Sequence, residues 1–178
     1  MIMKEKTISS DRIYTGKIVS LKVDTVEVEN KGYKKREIIE HNGVVAILSI
    51  INKRELILVK RFRKATQKVL WEIPSTNLEI CETPKECAIR ELKEKIGYNT
   101  ENIKLIHQLF STPDFSNHKV YIYLANDLVE IVSQYNQEYE NIKIYKIDID
   151  EAYNMVLSNE IEDSKTIIAI LFAKNLLY

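Results

Sequence analysis

The stretch that most constrains the fold is residues 70–98, LWEIPSTNLEICETPKECAIRELKEKIGY. It opens as a short apolar strand, passes through a polar loop and continues as a helix rich in carboxylates. Thr83-Pro84-Lys85-Glu86 is a helix start: the threonine caps, the proline suits the first turn, and the glutamate completes a capping box. Ala88, Ile89, Leu92 and Ile96 recur at helical spacing and predict a core-facing stripe, which Gly97 ends. Glu91 and Glu94 lie three apart, with Lys95 four after Glu91, so their head groups can meet. Carboxylates grouped beneath a loop suit a hard divalent ion such as Mg²⁺, which takes oxygen ligands and substrate phosphates. The same residues describe a solvated helix face with ordinary ion pairs, Arg90–Glu94 and Glu91–Lys95. On spacing alone the second reading is the commoner.

On these residues the chain resembles the Nudix family, whose signature is G-x5-E-x7-R-E-U-x-E-E-x-G-U, with U a bulky apolar residue. Glu82, Arg90, Glu91, Leu92, Glu94, Gly97 and Tyr98 fall on the pattern without a gap. The lead-in Leu70-Trp71-Glu72-Ile73-Pro74 is similar to that of the ADP-ribose pyrophosphatase branch. Two positions depart: Thr76 stands at the first glycine, and Lys95 at the second glutamate of the E-E pair. A threonine still presents a carbonyl, but with a steric cost if the position needs φ > 0. A lysine sets a cation beside a dication. Unit charges about 4 Å apart interact by roughly 4 kcal/mol at an effective dielectric near 20. Turning that attraction into repulsion against a +2 ion costs on the order of 10 kcal/mol before solvent and relaxation reduce it.

The resemblance implies an α/β fold, a Nudix α/β/α sandwich around a mixed sheet, with a small N-terminal β appendage. It divides the chain into 1–40, a β dimerisation segment, and 41–178, the Nudix domain. Glu82, Glu91 and Glu94, with the backbone carbonyl of Thr76, are its metal ligands, weakened by Lys95. Arg90 orients the carboxylates, and Glu91, Glu94 and either Glu138 or Glu140 carry catalysis. Arg36, Arg63, Glu72, Asp114 and His118 are its substrate-side residues, with Arg61 the alternative to Arg63. Asp114 and His118 sit in a loop, Ser111–His118, that resembles the family's S-P-G-F-x-x-E and departs from it at those two positions.

The implied cofactor is Mg²⁺, and the implied ligand is a nucleoside diphosphate sugar such as ADP-ribose. The departures gather on elements the family places round its active site, so the expected function is a Nudix protein with hydrolysis impaired or lost. The alternatives are an active Mg²⁺-dependent pyrophosphatase using the remaining glutamates, and a purely structural dimerising fold.

A formal net charge of +0 gives no general attraction to nucleic acid or anionic membrane. No apolar run reaches the ~18 residues of a spanning helix, and the polar start lacks a signal-peptide core, so a cytoplasmic protein is expected. Cys81 and Cys87, without metal-ligand spacing, read as reduced thiols.

Along the rest of the chain, residues 7–40 alternate as a β-hairpin turning at Asn30-Lys31-Gly32, and Val44–Ile51 is apolar enough for a buried central strand. Further strands are predicted at Leu56–Phe62, Ile103–Phe110, Val120–Ala125 and Ile142–Ile147. Helices are predicted at Asp150–Leu157 and Ser164–Leu177, the latter capped by Ser164 or Asp163. Trp71 reads as core packing or, less often, as a base-stacking surface.

Overall fold

A computed structural model describes residues 4–29, 31–131 and 142–176. The chain forms two compact units, Met1–Gly43 with Leu109–Lys119, and Val44–Gln108 with Val120–Tyr178.

The first unit is built on an antiparallel sheet of β1 (Glu5–Thr15), β2 (Val19–Val28) and β3 (Gly32–His41), in that order. The expected hairpin is therefore a three-stranded sheet. Its first strand escapes pattern reading because every residue in it is exposed, so no alternation marks it. Gly32 takes a φ of 71° at the β2–β3 turn, where a side chain would be strained. On β2 the alternate residues Asp24, Val26 and Val28 are buried. Asp24 accepts a 2.6 Å bond from the Ser10 hydroxyl and pairs with Lys22. Residues 109–119 belong to this unit because Ile39 exchanges backbone bonds with them: its N–H donates to Phe115 and its carbonyl accepts from Asn117.

The second unit carries a seven-stranded sheet. Its path runs β12 (Lys143–Asp148), β5 (Glu55–Arg63), β4 (Val44–Ile51), β10 (Lys119–Ala125), β9 (Ile103–Phe110). Off this path β6 (Lys68–Glu72) pairs with β5, and β7 (Ser75–Asn77) pairs with β4. The β4–β10 pair is parallel while β5 runs antiparallel to its neighbours, so the sheet is mixed. A two-stranded ribbon joins β8 (Tyr98–Asn99) to β11 (Val129–Glu130).

Helix α1 (Pro84–Glu91) packs on one face, over Val45, Ile47, Ile57 and Val59, through Cys87, Ala88 and the Leu92 that follows it. Strand alternation sends Ala46, Leu48, Leu56 and Leu58 to the other face. There α2 (Ile149–Leu157) packs on β5, and α3 (Ser164–Leu176) on β4 and β6. The result is an α/β/α sandwich. Asp163 caps α3, accepting from the Thr166 N–H at 3.0 Å.

Candidate active site

The Thr83 hydroxyl accepts from the Glu86 N–H, and the Glu86 carboxylate accepts from the Thr83 N–H at 2.8 Å, so the capping box forms. Beyond Glu91 the helix does not continue as α. Leu92–Ile96 is a π-helical turn closed by Gly97, which has φ 76° and donates its N–H to the Leu92 carbonyl five residues back. Leu92 and Ile96 are both buried, so the wider turn keeps the apolar stripe on the sheet.

One group of charges gathers at the outer side of α1. Arg90 grips Glu82 through two parallel bonds of 2.8 and 2.9 Å and lies 3.6 Å from Glu94. The guanidinium holds the Glu82 carboxyl below the usual carboxylate range, and the pairing raises Arg90 in turn. Burial, reinforced by the nearby Glu82 carboxylate, pushes the Cys87 thiol up to about 12. Cys81 lies exposed in the loop before α1 with φ 71°, a left-handed conformation that favours glycine.

A second group lies deeper, around a cavity of about 10 Å³, room for one water at most. Glu72, Glu91, Lys95 and Arg61 line it. Glu91 is 2 % exposed, and its Oε2 lies 2.7 Å from the Lys95 ammonium, itself 8 % exposed. The two side chains form a close ion pair. Burial is the largest influence on Glu91 and raises its carboxyl, against the charges of Lys95, Arg90 and Arg61. Glu72 is held by Arg63 through bonds of 2.6 and 2.5 Å, and by Lys165 at 3.2 Å. Burial would raise this carboxyl too, but Arg63 and Lys165 together outweigh it and keep it below its ordinary value.

Among the sequence candidates, Glu82, Arg90 and Glu94 come together, and Glu72, Glu91 and Lys95 share the small cavity. Arg63 faces Glu72, whereas Arg61, its alternative, lines the cavity. Thr76 sits in the ladder opposite Val45, in extended backbone, so it needs no left-handed freedom. Arg36, Asp114 and His118 belong to the first unit. There Arg36 pairs with Glu5 at 2.9 and 2.5 Å, and Asp114 is exposed. His118 bonds the Ser111 hydroxyl at 2.8 Å and packs its ring 4.4 Å from that of His41.

Glu138 and Glu140 lie outside the described residues. Trp71 is not in the core: it lies edge-on to Tyr145, under the Lys60 ammonium, and donates its indole N–H to Glu160. Sequence reasoning missed Lys165, because only the packing of α3 brings it to Glu72.

The NUDIX domain family matches residues 40–168, and the chain belongs to that family. It is 34 % identical over 171 residues to an ADP-ribose pyrophosphatase of Bacillus subtilis (strain 168), covering 96 % of this chain and 92 % of that one. It is also 34 % identical to a methanol dehydrogenase activator of Bacillus methanolicus, with 96 % and 93 % covered. A solved structure, that of an ADP compounds hydrolase, superposes with a TM-score of 0.86 at 18 % identity, over 99 % of this chain and 96 % of that one. The resemblance to the ADP-ribose pyrophosphatase branch therefore extends over nearly the whole chain.

The family implies a divalent metal on the helix carboxylates, and the described residues do not fit one. Glu91 is met by Lys95, Glu82 by Arg90, and Glu72 by Arg63 and Lys165, while Glu94 lies beside Arg90. No three acidic, histidine or cysteine side chains among the described residues converge as a metal would require.

Proposed function

We propose that this chain recognises a nucleoside diphosphate sugar, with ADP-ribose the first candidate, and that pyrophosphate hydrolysis is impaired or lost. The observation that carries the reading is the Lys95 ammonium 2.7 Å from Glu91, at the position where the family signature has a glutamate. Metal-assisted hydrolysis needs carboxylates whose charge is available to a cation. Here the helix carboxylates are engaged by lysine and arginine. The relatives named ADP-ribose pyrophosphatase and GDP-mannose pyrophosphatase support the ligand class. Calorimetric titration with ADP-ribose, with and without Mg²⁺, tests the reading, with chromatography of the mixture alongside. Binding without conversion is expected. Mg²⁺-dependent release of AMP and ribose 5-phosphate would sink it.

That outcome would favour a second reading, an active hydrolase using Glu82 and Glu94. The 48 % exposure of Glu94, which leaves it open to solvent, is the observation in its favour.

The first unit supplies a homodimer contact in this proposal. It exposes Ile8, Ile13, Tyr14, Ile18 and Tyr33, a density of apolar surface that suits association. Sedimentation of the full chain at micromolar concentration should give a dimer, and a monomer there would count against it. Two free thiols agree with a reducing, cytoplasmic setting. Among the described residues no helix is long and apolar enough to cross a membrane.

A further inference from the structure

We infer that Lys95 is a built-in counter-ion that takes the electrostatic place of a divalent metal, so the Glu91 site is complete as folded and excludes Mg²⁺. The inference deepens the functional reading above, since it makes nucleotide recognition at this site independent of metal. It starts from the charges round the small cavity. Of the two carboxylates on its lining, Glu72 is already held by Arg63 and Lys165, and Glu91 is met by Lys95, with Arg61 also lining the cavity. With a glutamate at position 95, Glu91 would lose its ion-pair partner and face a like charge one turn away. Two crowded carboxylates are what one divalent ion neutralises. Lysine removes that like-charge pair and the need for the ion together.

Space gives the same answer. Magnesium keeps several waters and wants six oxygens in near-octahedral array, at about 2.0–2.1 Å. Among the described residues, a cavity of about 10 Å³ bordered by an ammonium offers neither the room for that shell nor the ligands. Burial fixes the lysine there. At 8 % exposure beside a carboxylate at 2 %, it cannot swing into solvent without leaving Glu91 uncompensated in the interior. The helical turn that carries it is locked at both ends, by buried Leu92 and by Ile96 and Gly97.

The test uses the full-length protein without nucleotide, titrated with Mn²⁺ and Mg²⁺ by calorimetry and by thermal unfolding. The wild type should bind neither saturably, and its Tm should not move. Lys95→Glu should lower the metal-free Tm by about 6 °C or more, because it leaves buried carboxylates crowded. Mn²⁺ should raise it again by about 5 °C or more at a hundredfold excess over Kd. Adding Glu91→Gln to that variant should abolish the rescue. Lys95→Gln, which removes the charge with little change of shape, guards against a charge-reversed variant that does not fold. It too should melt lower than the wild type.

Saturable Mn²⁺ binding by the wild type that Glu91→Gln removes would overturn the inference. So would a Lys95→Gln variant as stable as the wild type. Failure to bind ADP-ribose, or turnover of it, would sink the functional reading and leave the metal titration standing on its own.

Discussion

Arg63 and Glu72, at opposite ends of the β5–β6 pairing, are joined by two parallel hydrogen bonds of 2.6 and 2.5 Å, with Glu72 all but sealed from solvent. Lys165 reaches the same carboxylate from the first turn of α3. The neighbouring Ile73 N–H donates to Thr166 at 2.8 Å. One glutamate thus ties two strands to a helix.

Removing its charge should therefore be costly. Glu72→Gln leaves Arg63 without its paired anion in a partly buried place and Lys165 with Asp163 alone, and a loss of about 3 kcal/mol is expected in urea unfolding at pH 7. The pH dependence has a definite sign. The folded-state pKa of Glu72 is depressed, so its contribution is present above the ordinary carboxylate pKa and is lost as pH falls through the lowered value. The gap between wild type and variant should narrow on acidification below about pH 4. A gap that stays constant with pH would show that the carboxylate charge is not what stabilises.

Glu91 should behave in the opposite sense. Its folded-state pKa is raised, chiefly by burial, so its protonation favours the fold and that contribution fades as pH rises through the raised value. Comparing Glu91→Gln with the wild type by urea unfolding from acid to neutral pH should show the variant gaining relative stability as pH rises. The reverse trend would mean that Lys95 outweighs burial.

The two thiols should differ in reactivity. Cys81 is exposed, whereas Cys87 is buried with its thiol pushed up to about 12, and only the thiolate attacks. A disulfide reagent at pH 8 should modify Cys81 rapidly and Cys87 only after unfolding. Cys81→Ser should remove the fast phase. Two equivalents reacting together in the native protein would contradict the burial of α1.

At the start of α1, Thr83→Ala removes the hydroxyl that accepts from Glu86 and should destabilise by about 1 kcal/mol. At its end, Arg90→Lys loses the parallel pairing with Glu82. With both side chains partly solvated, about 1 kcal/mol or less is expected, shrinking with added salt. A double-mutant cycle with Glu82→Gln measures that term directly.

The helix start was legible because capping chemistry is local: Thr83, Pro84 and Glu86 lie within one turn. So was the central strand, since Val44–Ile51 is apolar on both faces. The π-helical turn was not. Ala88, Leu92 and Ile96 are spaced by fours, a pattern that an α-helix and a widened final turn satisfy alike. β7 was missed because Ser75-Thr76-Asn77 is short and polar, with only Thr76 favouring a strand, and its partner β4 makes it one. The pairing of Lys95 with Glu91 could be read from spacing, but not its burial, which depends on the strands and loop around it. Lys165 could not be placed at all, because it comes from the far end of the chain.

The parallel pairing of β4 with β10 has a consequence for how the chain is made. Val44 partners Val120 and Ser49 partners Ala125, so the middle of the sheet joins segments far apart in sequence. The antiparallel partners of β4, β5 and β7, follow it closely. On a ribosome, β4 would have them long before β10 emerged, and one edge of the most apolar strand would stay open meanwhile. Closing so long a loop carries an entropic cost ahead of any reward, which makes this pairing a slow step. Until then the nascent chain presents a strand edge to which a chaperone, or a second unfinished copy, can bind.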